Sequence, residues 1–454
     1  MPGTPPEPDG VADEALLQKA KQDGDVTIAR QIWLRTTSST ALTDIENVYR
    51  VRLGIAASHA VPSTVAAAAD RGREAAPSRS TNEEDVSLIW NRFYLLLAQS
   101  GRDDELAKFL RRRDIQARLA RRVLNYPDAP ELPPQLGDGS PALPCAVVDG
   151  AMSPWATEAL WDTFGESTMP YWTMHDYSVE PPSRYFSFVL PLLDSTAPVG
   201  ARQADNCPSK TTAAGANSCL EWWRTTSNGV GNPLGALGEL VRAVVRAAVE
   251  AGYVDERDPD RCPRFAELWA HNRPHATGHQ MHFDSDDEGA GGVRNPLAGS
   301  IYYLSSSPCG GPSLVTDQAF GATAMATQGW LCWPKRNRLM VFDGRMLHGV
   351  VPGKGVLPPD LRAERRVTVM LALWNKIQTR PGEGPGSARP MPTVPTPWSE
   401  TLLRPSPGVE KAAVSAIWQR VIPEHASPVW EDTRGSPWPA SRPIPPYQRV
   451  MQGF

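Results

Sequence analysis

The chain has 454 residues, 41% of them hydrophobic, with 46 Lys+Arg against 50 Asp+Glu and a formal net charge of −4. That length allows two or three domains, and the near-balance of charge gives no electrostatic case for nucleic acid or an anionic membrane as partner. No apolar run approaches the ~18–20 residues of a membrane span, and the N-terminal stretch MPGTPPEPDGVADEALL lacks the basic-then-apolar order of a secretory signal, so a cytoplasmic or nuclear location is expected.

The first region, 1–124, reads as helical. Leu16, Leu17 and Ala20 share one helix face, and Ile28, Ile32 and Trp33 share another after a break at Gly24. The stretch WNRFYLLLAQSGRDDELAKFLRRRDIQARLARRVL repeats that design, with Gly101 between two helices and Leu106, Phe109 and Leu110 on the apolar face of the second. Two such helical hairpins do not establish a solenoid. The arginines of a basic helix over 102–122 read as a solvated face or, alternatively, as a docking surface for an acidic partner. Residues 125–144 are a Pro-rich linker, which predicts a helical module separable from the rest of the chain.

After the linker the periodicity changes. CAVVDGAM is a strand entering a turn, and SPWATEALWDTF opens a helix with Ser153 as its cap and Pro154 at its first position. PLGALGELVRAVVRAAVEAGY is a second amphipathic helix. From about residue 265 short strands dominate, FAELWAHN, GSIYYLSS, PSLVTD, RLMVFDG and RRVTVMLALW, divided by Gly/Pro turns as in a sandwich or barrel. Residues 377–454 form a Pro-rich C-terminal extension with one short helix near VEKAAVSAIWQRV and an extended end. The six cysteines, Cys145, Cys207, Cys219, Cys262, Cys309 and Cys332, contain no Cys-x-x-Cys pair. Reduced thiols are expected, with a Cys207–Cys219 loop as the alternative in an oxidising compartment.

The stretch ATGHQMHFDSDDEGAGG carries the chemistry. On a strand, positions i and i+2 share a face, so His282 and Asp284 deliver an imidazole and a carboxylate to one point. That is two thirds of the 2-His-1-carboxylate set of non-haem Fe(II) sites. His348, after the strand RNRLMVFDGRML, is the third candidate ligand. The bland alternative is a His-rich acidic surface loop, since His271, His275 and His279 lie close by. Asp286, Asp287 and Glu288 read as a solvated lip after the ligands.

In the strand from Arg365 to Trp374, Val367, Val369, Leu371 and Leu373 make one aliphatic face. Arg366, Thr368, Met370, Ala372 and Trp374 make a mixed one, suited to a polar pocket. Arg366 is therefore expected to point inward, where a buried guanidinium needs an anionic partner such as a dicarboxylate.

The order His-x-Asp, IYYL, GGPSLVTD, RLMVFDGRMLHGVVPG and Arg-x-Thr resembles the 2-oxoglutarate/Fe(II)-dependent dioxygenases, in particular their prolyl-hydroxylase-like branch. The resemblance covers residues 145–376 and is sharpest over 266–376. It implies an α+β protein whose catalytic domain, 145–376, is a double-stranded β-helix, a jelly-roll-like barrel with supporting helices. It implies Fe(II) held by His282, Asp284 and His348, 2-oxoglutarate held by Arg366 with Thr368 and Tyr303, O2 as the other substrate and ascorbate as a reductant. Asn272 stands where the branch often carries a pocket tyrosine. The interval from His348 to Arg366 is longer than usual, which leaves Arg362 and Arg365 as alternatives. The implied reaction is hydroxylation of a C–H bond in a peptidyl, prolyl-type substrate, with a small-molecule oxygenase of specialised metabolism as the second reading. A non-catalytic barrel serving as an interaction scaffold is the reading from another class. Nucleic-acid demethylation is disfavoured, because Ala372 stands where repair enzymes carry a second arginine.

Overall fold

The computed structural model describes residues 48–50, 83–135, 143–175, 186–192, 235–255, 257–286, 293–354, 365–380, 386–392, 394–404 and 418–453. The expected helices over 11–35, the Cys207–Cys219 pair, Arg362, Asp287 and Glu288 lie outside these residues.

Helix α1, Glu83–Gln99, and helix α2, Asp103–Arg112, are joined through Gly101, whose φ of 73° lies in the left-handed region that glycine adopts freely. Asp103, Asp104 and Glu105 open α2 and Arg111 and Arg112 close it, complementing the helix dipole. The basic helix expected over 102–122 does not continue. After Arg112 the chain turns, and Ala117–Leu119 forms strand β1. Local periodicity could not reveal this, because both partners of β1 lie more than 300 residues away. They are Trp430–Asp432, antiparallel, and Val450–Met451, parallel.

The remaining strands are β2 Cys145–Asp149, β3 Phe186–Pro191, β4 Phe265–Pro274, β5 His279–His282, β6 Ala298–Tyr303, β7 Ser313–Ala319, β8 Gly329–Cys332, β9 Arg338–Asp343, β10 Met346–Val350, β11 Arg365–Trp374, β12 Gly386–Pro390, β13 Gln419–Val421, β14 Glu424–Ala426, β15 Trp430–Asp432 and β16 Val450–Met451. The five runs expected as strands after residue 265 are all strands, whereas the far end of the helix expected near VEKAAVSAIWQRV is strand β13. The protein is mixed α+β, and strands predominate. One sheet has the order β12-β3-β4-β11-β6-β9-β2-β13, and a second has the order β14-β8-β7-β10-β5.

The two faces of the large sheet differ in what they bury. Val367, Val369, Leu371 and Leu373 of β11 join Leu268 and Ala270 of β4 in an apolar cluster with helix α3, Pro154–Phe164, and helix α4, Gly235–Glu250. Each fully buried Val or Leu here contributes about 1.5–3 kcal/mol. Ser153 caps α3 as its sequence predicts, its hydroxyl accepting from Ala156 N at 3.2 Å. On the other face, Met370, Ile301 and Trp269 share a cluster with Leu314, Val315 and Leu331 of the second sheet. The two sheets therefore enclose one core between them.

That same cluster runs on through Trp333, Tyr126, Leu124 and Leu110 to Phe93. Tyr126, at the start of the Pro-rich segment, donates its hydroxyl to Pro352 O at 3.2 Å and accepts from Lys354 N at 2.8 Å. The helices α1 and α2 share this buried cluster with the sheets. The C-terminal extension is also seated: Trp438 N donates to Trp430 O, and Met281 N donates to Gln452 Oε1 at 2.8 Å. Cys145 and Cys332 are free thiols, but Cys262 is disulfide-bonded, so the expectation of reduced thiols fails at that position. No helix among the described residues is long and apolar enough to cross a membrane.

Candidate metal centre

Strands β5 and β10 are adjacent and antiparallel, and their register sets His282 directly opposite His348. Directly opposed residues project to the same face of a sheet, and the two rings lie 4.3 Å apart between centroids. Asp284 follows β5 by two residues and brings its carboxylate between them. Oδ1 is 3.5 Å from His282 Nε2, and Oδ2 is 3.7 Å from His348 Nε2. The donor atoms of the three residues all lie within 4.8 Å of one another.

Each imidazole is fixed by its other nitrogen. His282 Nδ1 sits 2.8 Å from Gln280 O, and His348 Nδ1 sits 3.0 Å from Met346 O. A carbonyl can only accept, so each neutral ring carries its proton on Nδ1 and turns a free Nε2 lone pair toward Asp284. This is how metal-binding imidazoles are commonly oriented. Burial pushes the His348 pKa down to about 4, against the pull of Asp284, so the ring is neutral in ordinary buffers. Burial also opposes charge on Asp284, but His348 and His282 outweigh it and hold the carboxyl below the usual range. Burial likewise works against a charged His282, yet the hydrogen bond and charge of Asp284 lift its pKa. With the His282 proton displaced by a metal, the group would offer two neutral nitrogens and one carboxylate, a donor set that fits a single divalent transition metal with positions left open.

A cationic cluster is also buried between the sheets. Arg366 is 2% exposed, and Nη2 donates to Ser313 Oγ at 2.9 Å. Tyr303 Oη donates to the same oxygen at 2.7 Å, and the guanidinium carbon stands 5.5 Å over the Tyr303 ring. Thr368 faces Tyr303 across the β11–β6 pairing. The structure thus brings together Arg366, Thr368 and Tyr303 and adds Ser313, which the sequence alone does not single out. Arg366 Nε and Thr368 Oγ1 are buried with no hydrogen-bond partner, and Arg366 has no carboxylate partner among the described residues. A buried, unbalanced guanidinium with orphaned polar atoms beside it fits an anionic ligand.

Asn272, His271 and His279 are placed otherwise than expected, whereas Arg365 points outward as the parity of β11 requires. Asn272 lies on the opposite face of β4, where its amide donates to Phe164 O and Gly165 O at the end of α3, so it does not reach the pocket. Arg365 is turned to that same outer side, with Nη2 donating to Asn272 O at 3.1 Å. The inner face of β4 instead carries Trp269, His271 and Arg273, paired with Met370, Thr368 and Arg366 of β11. His271 and His279, expected only as parts of a surface loop, line the site. Their rings are 5.3 Å apart, and His279 stacks on His282 at 4.5 Å. Burial holds both well below the usual histidine range. His275 is structural: its Nδ1 accepts from Gly310 N at 2.9 Å.

Gly310 has φ 77°, and a Cβ there would run into the Arg366 side chain. Gly310→Ala is expected to cost about 1–3 kcal/mol from overpacking, read by calorimetry as a lower Tm. An unchanged Tm would mean that Arg366 has room to move aside.

No family model matches the chain, and no curated protein matches it. Among solved structures, one to which it is similar is a prolyl-4-hydroxylase from Pseudomonas putida. The match has 14% identity, spans 35% of this chain and 79% of that chain, and has a TM-score of 0.23. At that level the likeness decides neither the fold nor the chemistry of this chain.

Proposed function

We propose that the protein is an Fe(II)- and 2-oxoglutarate-dependent dioxygenase that hydroxylates a C–H bond, its two sheets forming a double-stranded β-helix around the site. The observation that carries this reading is the pairing of two features in one interior. One is the His282, Asp284 and His348 donor set, and the other is a buried Arg366 that has no carboxylate partner among the described residues. Either alone has structural explanations. Together they fit a metal and a dicarboxylate side by side.

In this reading His282, Asp284 and His348 hold the metal from one side and leave the other open to ligands. Fe(II), when bound, supplies the redox chemistry by which O2 and a 2-oxo acid oxidise a C–H bond. Arg366, steadied by Ser313, binds the far carboxylate of the cosubstrate, with Thr368 and Tyr303 shaping the pocket around it. The inner-face residues Trp269, Ile301 and Met370 exclude water from the pocket floor. The substrate class implied by the motif resemblance is a peptidyl side chain of prolyl type.

The test is conversion of 2-oxoglutarate to succinate by the full chain, with and without Fe(II), alongside mass spectrometry of a peptide library for products carrying one added oxygen. Iron-dependent succinate formation is expected. Its absence, under conditions where the protein binds Fe(II) and is folded, would remove the dioxygenase reading and favour a binding scaffold.

A further inference from the structure

Arg273 has no role in the proposed reaction so far, and its surroundings ask for one. It lies on the inner face of β4, directly opposite Arg366 of β11. It is 9% exposed, and its Nε is buried without a partner. Its side chain makes no hydrogen bond or ion pair among the described residues. Like charges set directly opposite each other across two strands repel, and burial deepens that cost. Two such guanidiniums at one level of a sheet, with no carboxylate among the described residues to neutralise them, need more negative charge than one carboxylate brings.

The order of the groups along the pocket is also fixed. Arg273 shares the inner face of β4 with His271, whose ring lies 5.3 Å from His279, and His279 stacks on the ligand His282, so β4 is the strand that leads to the metal. Arg366 lies one strand further on, on β11, and is anchored toward β6 and β7 by Tyr303 and Ser313. The sequence of groups is metal, Arg273, Arg366. A short dicarboxylate lying along this line presents one carboxylate to each arginine.

We propose that Arg273 is a second anion-binding residue of the cosubstrate pocket, holding the carboxylate nearer the metal while Arg366 holds the far one. This rests on the dioxygenase reading and its dicarboxylate cosubstrate. The two arginines then divide the work of selection. Arg366 distinguishes acids that have a second carboxylate from those that lack one. Arg273 recognises the 2-oxo acid end that both kinds share.

The experiment is calorimetric titration of the full chain, loaded with Mn(II) and kept free of O2, with two probes. One is 2-oxoglutarate. The other is 2-oxobutyrate, which keeps the 2-oxo acid end and lacks the far carboxylate. Arg273→Gln is expected to weaken both probes by about 10-fold or more, the factor that ~1.4 kcal/mol represents. Arg366→Gln is expected to weaken 2-oxoglutarate to a similar degree and leave 2-oxobutyrate unchanged. Arg273→Lys, which keeps the charge without the fork, recovers part of the loss and serves where Arg273→Gln does not fold. If Arg366→Gln loses 2-oxoglutarate and neither Arg273 variant does, the inference fails and the cosubstrate reading stands. If the unaltered protein binds no 2-oxoglutarate, or neither arginine affects its binding, the cosubstrate reading itself fails.

Discussion

Replacing His348 by alanine is expected to reduce affinity for Fe(II), or for Co(II) as a stand-in, by more than about 100-fold, beyond the 10–100-fold typical of losing a ligand's outer hydrogen-bond partner. The variant removes one of three donors, and no described residue nearby replaces it. His279 stacks on the far side of His282, and His271 lies beyond His279. The fold should survive, because the ring makes a single hydrogen bond, to Met346 O, and its strand is held by backbone pairing on both sides. Circular dichroism should therefore match the unaltered protein while metal titration does not. His275→Ala is the contrasting variant. It strips Gly310 N of its acceptor and should lower Tm, but it leaves the donor set intact. Metal affinity equal to the unaltered protein's in His348→Ala would refute the assignment of this ligand.

Arg118→Ala is expected to destabilise the protein by about 3–5 kcal/mol, the range for removing one partner of a buried ion pair. Arg118 is 3% exposed and is clasped by Asp103 at 3.0 Å and Glu431 at 3.1 Å. Burial pushes the Glu431 carboxyl up even with Arg118 beside it, so losing the guanidinium strands a desolvated acid. The effect reaches far along the chain, because this side chain ties helix α2 and strand β1 to strand β15. Arg122, half-exposed and 3.4 Å from Glu424, is the comparison. Arg122→Ala should change stability by less than about 1 kcal/mol, as exposed pairs do. Urea unfolding measures both. Equal losses in the two variants would show that the buried pair is no stronger than the surface one.

The contrast between Arg118 and Arg366 shows what could be read in advance. Arg366 was legible because its own strand separates cleanly by parity, with four aliphatic residues on one side and a mixed set on the other. The neighbouring run FAELWAHNRP obeys the same rule, with Ala266, Leu268 and Ala270 outward and Trp269, His271 and Arg273 inward. Parity applied there would have found Arg273 and set Asn272 aside. The His-x-Asp pair was legible because its geometry is local. His348 depended on the order of later strands, and the register of β10 on β5 supplies what order alone could not. Arg118 was hidden for the opposite reason. A three-residue strand between two helices has no periodicity to detect, and its partners lie at the other end of the chain.

The bond from Met281 N to Gln452 also has a consequence for biosynthesis. Strand β5 forms one edge of its sheet and pairs with β10 alone. The side away from β10 is covered at Met281 by Gln452, a residue made well after all three donors. A nascent chain has made His282, Asp284 and His348 long before it makes residue 452. Until then the metal-bearing edge is an open ladder, the kind of exposed backbone that invites wrong pairing. Strand β1 waits longer still for Val450–Met451. Synthesis of residue 452, rather than of the ligands, is therefore the event that covers this edge, and a chain interrupted near residue 440 carries every donor atom on an unfinished edge.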